Sequence, residues 1–63
     1  MKKPVEMDEE YEADIEELSQ RGDGIAKIDG FVIFVPNTKE GEHVKFKITR
    51  LGNRFAVGEL VED

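Results

Sequence analysis

Between Arg21 and Pro36 the chain places two tight turns and two short apolar runs within sixteen residues. That spacing suits short strands and leaves no room for a helix of ordinary length. Gly22-Asp23-Gly24 reads as a turn, because glycine reaches backbone conformations that side chains disfavour. Asp29-Gly30 reads as a two-residue hairpin loop between strands at Ile25 to Ile28 and Phe31 to Val35, with Pro36 ending the second. After a polar loop at 37–42, Val44, Phe46 and Ile48 alternate with Lys45, Lys47 and Thr49, the clearest period-two pattern in the chain. Gly52-Asn53 then turns the chain into a last strand from Arg54 to Val61.

The segment before this is ambiguous on its own pattern. Tyr11, Ile15 and Leu18 fit helical spacing, while Tyr11, Ala13 and Ile15 alternate with Glu12, Asp14 and Glu16 as a half-buried strand would. Residues 1 to 10 are polar, charged and interrupted by Pro4, which predicts a flexible acidic arm ahead of a folded domain at 11–63.

A chain of 63 residues makes one small domain. It buries only about 60% of its unfolded surface and has no room for a deep substrate cleft. With no cysteine there is neither a disulfide framework nor a zinc ribbon, so stability rests on the apolar core. One histidine, His43, and one serine, Ser19, give no Ser-His-Asp or Cys-His constellation, and no enzyme is expected. The acids at 8–17 lack the spacing and glycine of a calcium loop, so neither metal nor cofactor is expected. No apolar run approaches a membrane span and Met1-Lys2-Lys3 leads into acids, which predicts a cytoplasmic protein without membrane contact.

The net charge of −6 divides unevenly along the chain. Residues 1–20 hold two lysines against eight acids, for −6, whereas residues 21–58 hold seven Lys and Arg against four acids, for +3, and three acids close the chain. The middle of the chain is basic. The overall acidity argues against a tight non-specific nucleic-acid binder and leaves a local cationic face.

Gly22, Gly24, Ile25, Ala26, Lys27, Gly30, Phe34, Val35 and Pro36 match the pattern G-x-G-I/V-A-K/R followed by G-x-x-x-F-V/I-P. On these residues, and more loosely on to Val61, the chain resembles the TRAM domain family, in particular its stand-alone archaeal members. The resemblance implies an all-β fold, a small five-stranded antiparallel β-barrel of OB-like kind, with the first strand in the ambiguous segment. A strand there would close a sheet edge that one short helix leaves open. It also implies RNA binding, sometimes as an RNA chaperone and often beside tRNA-modifying enzymes. It nominates Lys27 and Phe34 most directly, then Phe31 and Phe55.

The expected core is Ile15, Ala26, Ile28, Ile33, Val35, Val44, Phe46, Ile48, Ala56 and Leu60. On the last strand Glu59 marks the solvent side, so parity puts Phe55 and Val57 outside and Ala56, Gly58 and Leu60 inside. On the Phe31 to Val35 strand both faces are apolar. If Ile33 and Val35 fill the core, Phe34 faces out and Phe31 sits partly covered near the turn; the alternative makes Phe34 core volume. An outward phenylalanine offers a stacking surface to a base. Lys45 and Lys47 protrude from one strand, and Arg21, Lys27, Arg50 and Arg54 stand at turns or strand ends where phosphates could approach.

The expected function is therefore a monomeric, non-catalytic RNA-binding protein. It takes single-stranded or irregular RNA, tRNA included, by Phe stacking and Lys/Arg contacts, and acts as an ATP-independent chaperone with a role such as cold adaptation. The alternative is a protein-interaction module whose acidic N-terminal segment binds a basic partner, such as a ribosomal protein or an RNA-modifying enzyme.

Overall fold

A computed structural model of the chain describes residues 3–61. Six strands follow one another: β1 (Glu10–Asp14), β2 (Glu17–Leu18), β3 (Gly24–Ile28), β4 (Phe31–Val35), β5 (His43–Leu51) and β6 (Phe55–Leu60). There is no helix among the described residues. They form one curled sheet in the order β1-β5-β6-β4-β3-β2.

The two strands at the ends of that order are consecutive in sequence, and this closes the fold. The expected single first strand is split: β1 pairs with β5, the chain bends at Ile15 and Glu16, and β2 pairs with β3. At the bend the buried Ile15 donates its N–H to the Glu42 carbonyl (2.8 Å) and accepts from the Gly41 N–H (2.8 Å), while the Glu16 N–H donates to the Ile25 carbonyl (2.8 Å). One continuous segment thus holds both edges of the sheet, leaving few backbone groups open to a foreign strand. The all-β, barrel-like reading stands, with six strands in place of five. The expectation of wholly antiparallel pairing also needs correction, because β4 and β6 run parallel, Val32 beside Phe55 and Phe34 beside Val57. A parallel pair requires a long crossover, and β5 with its flanking loops supplies it.

The β3–β4 hairpin follows directly from its loop residues. Asp29 (φ 48°) and Gly30 (φ 87°) are both left-handed, and Ile28 pairs with Phe31 across them. Such a two-residue loop matches the twist of the strands it joins.

Alternation along the strands fills the interior with Ala26, Phe31, Ile33, Val35, Phe46, Ile48 and Ala56, and Ile15 joins them from the bend. Ile28, Val44 and Leu60, expected in the core, are partly buried against it. The Phe46 ring lies on Gly58, where a Cβ would come within 2.6 Å of it. Thr38 is buried too, and its hydroxyl donates to the Val35 carbonyl at 2.7 Å, so the polar atom is satisfied.

The packing corrects the expected boundary at residue 10. Val5 is 0% exposed and belongs to the core cluster. The Asp8 N–H donates to the Ile48 carbonyl (2.9 Å), the Ile48 N–H donates to the Glu9 carbonyl (3.0 Å), and the Glu6 N–H donates to the Tyr11 hydroxyl (2.8 Å). A single apolar side chain among acids carries little periodic signal, which is why the sequence does not reveal this attachment. Residues 1–2 of the expected arm and residues 62–63 of the expected domain lie outside the described residues.

Candidate nucleic-acid interface

Strand register assembles the candidate site on the outer surface of β3, β4 and β6. Ile25, Phe34, Val57 and Arg50 stand side by side across β3, β4, β6 and β5. In the next row lie Lys27, Val32 and Phe55. Each row is apolar in the middle and carries a cation at one end. The four-strand row spans about 14 Å at the usual strand spacing.

Phe34 and Phe55 are diagonal neighbours in this patch, with ring centroids 6.4 Å apart and planes at 63°. Edge-to-face contact is a favoured aromatic geometry, and it steadies both rings while leaving ring faces available. Phe34 is half-buried, and Phe55 is 46% exposed. The Phe55 ring lies over Gly52, where a Cβ would collide with the ring, and the Gly52 N–H donates to the Phe55 carbonyl at 2.8 Å. The absence of a side chain at Gly52 is therefore what lets this ring lie where it does.

Arg50 reaches the patch because of a β-bulge. Ile48 pairs with Gly58 and Arg50 with Val57, leaving Thr49 as an extra residue on β5. Unbroken alternation from the buried Ile48 would turn Arg50 inward. The extra residue turns it outward beside Val57 and returns Leu51 to the core side, opposite Ala56.

Arg21 arrives from the turn between β2 and β3, which is closed by the Ser19 N–H donating to the Asp23 carbonyl (2.8 Å) and the Asp23 N–H donating to the Ser19 hydroxyl (3.2 Å). Arg21, Arg50, Phe34 and Pro36 line one cavity of about 600 Å³. Arg54 is exposed directly before Phe55, and its carbonyl accepts from the Val32 N–H at 3.3 Å.

Of the residues expected to contact RNA, the structure gathers Arg21, Lys27, Phe34, Arg50, Arg54 and Phe55. Phe31 does not join them: it is 7% exposed, on the same side of β4 as Ile33 and Val35, and belongs to the core. Parity had put it there, and the nearby turn does not uncover it. Lys45 and Lys47 stand in other rows. Lys45 lies opposite Glu12 and forms an ion pair with Glu10 at 3.4 Å, and Lys47 is flanked in register by Glu10 and Glu59. Sequence reasoning placed Val57 outside by parity but missed the other supporting parts, namely Ile25, the Thr49 bulge and the bare Gly52. The bulge leaves no mark in residue types, whereas Ile25 follows from parity once its strand is aligned.

The outer wall of β1 and β5 is different chemistry. His43 sits between two carboxylates, its Nδ1 2.7 Å from Asp14 and its Nε2 3.1 Å from Glu12. Hydrogen bonding to Asp14 foremost, then to Glu12, raises its pKa above the ordinary histidine value. Among the described residues no group of three or more His, Cys, Asp or Glu is arranged to hold a metal ion.

Comparison with known proteins agrees with this architecture. The TRAM domain family model matches residues 4–61. An uncharacterized protein of Methanocaldococcus jannaschii is 47% identical over 58 residues, covering 92% of this chain and 75% of that protein. Translation initiation factor 2 subunit beta of Methanothrix thermoacetophila is 48% identical over 58 residues, and there the match covers 92% of this chain but only 28% of the relative. An uncharacterized RNA methyltransferase of Clostridium acetobutylicum is 39% identical across 94% of this chain, which spans 13% of that enzyme. The solution structure of a conserved protein from Methanococcus maripaludis superposes with a TM-score of 0.90 at 48% identity, covering 97% of this chain and 87% of that one. Sequence pattern, fold and relatives converge: this chain belongs to the TRAM domain family, a family associated with RNA binding.

Proposed function

We propose that this protein binds RNA on the outer face of β3, β4 and β6 and acts as an ATP-independent RNA chaperone. Unpaired bases stack on Phe34 and Phe55, and Arg21, Lys27, Arg50 and Arg54 receive the phosphates. The observation that carries this reading is the outward Phe34–Phe55 pair, Phe34 half-buried and Phe55 exposed, with cations at the ends of its rows. Two outward rings in an apolar patch cost solubility unless something covers them, and stacked bases do so at about 1–3 kcal/mol each with little sequence preference. RNA in preference to DNA rests on the family. Transient capture of unpaired segments, those of tRNA included, lowers the cost of opening a misfolded RNA and needs no nucleotide hydrolysis. In this reading the protein works as a monomer in the cytoplasm, without catalysis, metal or cofactor.

The competing reading makes the acidic N-terminal segment a docking surface for a basic partner, such as a ribosomal protein or an RNA-modifying enzyme. Against it, His43 engages two of the three β1 carboxylates and Lys45 the third. An assay of RNA hairpin opening in the absence of nucleotide tests the proposal. Opening by the wild-type protein, lost in Phe34→Ala and Phe55→Ala while both stay folded, is the expected result. Opening that persists in both variants, or none with the wild type, contradicts it.

A further inference from the structure

One end of the aromatic face is an open concavity rather than a flat platform. The cavity of about 600 Å³ is lined by the apolar Phe34, Pro36 and Val57 and by two arginines, Arg21 and Arg50. Its size falls within the usual range for small-ligand sites. A single carboxylate, Asp23, also lines it. Asp23 is half-buried, and its backbone is fixed on both sides by Ser19. Among the described residues its carboxylate forms no ion pair, although two arginines share the cavity.

An ionised carboxylate only accepts hydrogen bonds. In a pocket otherwise suited to phosphate it repels the ligand, unless the ligand brings donors of its own. Nucleobases differ in this respect. Guanine presents two adjacent donors, N1–H and the N2 amino group, which one carboxylate accepts together. Adenine and cytosine set an amino donor beside a ring-nitrogen acceptor, and uracil sets its one N–H between two carbonyls, so each faces the second carboxylate oxygen with a lone pair.

We infer that this pocket is a guanine-selective subsite within the RNA surface, with the base stacked on Phe34, its Watson–Crick edge held by Asp23, and the neighbouring phosphates on Arg21 and Arg50. This rests on the RNA reading and adds base selectivity to a surface that otherwise has little. Sequence-tolerant stacking on Phe55 and a selective position at Asp23 would let the protein hold varied single strands while favouring those with an unpaired guanine.

The test uses a short oligouridine with one variable central nucleotide, titrated against the wild type and Asp23→Asn by fluorescence anisotropy. The wild type is expected to bind the guanine-containing RNA about tenfold or more tighter than those with adenine, cytosine or uracil, the scale of one bidentate base contact. Inosine, which keeps N1–H but lacks the amino group, should fall between, and this arm needs no variant. Asp23→Asn should weaken guanine binding and, by removing a negative charge, slightly tighten the other three. Equal wild-type affinity for all four bases, or uniform tightening of all four by Asp23→Asn, overturns the subsite and leaves RNA binding intact. Failure of the wild type to bind any of these RNAs overturns both.

Discussion

The outer face of β3, β4 and β6 and the outer wall of β1 and β5 both carry exposed cations, yet they are opposite in what those cations are offered. On the wall each positive group has an acid built in beside it: Lys45 meets Glu10, Lys47 lies between Glu10 and Glu59, and His43 lies between Asp14 and Glu12. On the face Lys27 and Arg50 end apolar rows containing Phe55 and Phe34, Arg21 lines the cavity beside Phe34, and Arg54 is exposed directly before Phe55. Exposed ion pairs are worth little to stability, about 0–1 kcal/mol, but they occupy a cation that a phosphate would otherwise use. In the proposed reading, position in the sheet, not the count of Lys and Arg, decides which charges are available to RNA. Glu59, one row beyond Val57, marks the border between the two surfaces.

The largest expected effect separates rings that face in from rings that face out. Phe46→Ala, and Phe31→Ala with it, should each cost about 3–5 kcal/mol of stability by opening a core cavity. That is a large share of the roughly 3–9 kcal/mol a domain of this size possesses. Phe34→Ala and Phe55→Ala should barely move the melting temperature while each costs about 1–3 kcal/mol of RNA affinity. Thermal melts beside RNA titrations check this, and a Phe55 variant that melts like the Phe46 variant would place that ring in the core instead.

Charge gives the next contrast. If the four face cations each neutralise one phosphate, log affinity should fall against log salt with slope about −2.8, at roughly −0.7 per contact on single strands. Removing Arg21 and Arg50 together as Gln should flatten the slope by about 1.4. Lys45→Gln with Lys47→Gln should leave it unchanged, and a flattened slope there would extend the site onto the wall.

Gly52 sharpens the comparison further. Gly52→Ala puts a methyl where the Phe55 ring lies, and the ring must swing aside. RNA affinity is expected to drop by less than in Phe55→Ala, with the salt slope intact, because no cation has moved. Unchanged affinity would mean that the position of the Phe55 ring is irrelevant to binding.

The smallest effect belongs to the wall. The His43 pKa is raised by its hydrogen bonds to Asp14 and Glu12, so the stabilisation is fully present below the ordinary histidine pKa of about 6.5 and is lost as pH rises through the raised folded value. NMR titration should place the His43 midpoint above about 6.5, returning to it in Asp14→Asn with Glu12→Gln. RNA affinity should not follow this titration, since His43 lies outside the face.

Much of this molecule is legible in the chain because turn chemistry and period-two alternation are local signals. Asp29-Gly30 forms the hairpin its residues favour, and Glu59 assigns the sides of β6. The elements that escape reading are those set by distant partners. Whether Tyr11 to Leu18 is helix or strand is decided by β5 and β3, which pair with its two halves. Val5 is core only because it clusters with residues distant in sequence, and Arg50 faces out only because a bulge shifts the register by one. Lys45 and Lys47 look free in sequence, since their acidic neighbours come from β1 and β6 and not from β5 itself.

Backbone amide shift mapping with a short single-stranded RNA tests the division between face and wall most directly. The account predicts perturbations centred on Ile25, Lys27, Val32, Phe34, Arg50, Phe55 and Val57, with Glu12, Asp14, His43 and Lys45 silent throughout the titration. Shifts concentrated on β1 and the first half of β5, with the Phe34 and Phe55 strands silent, would contradict it.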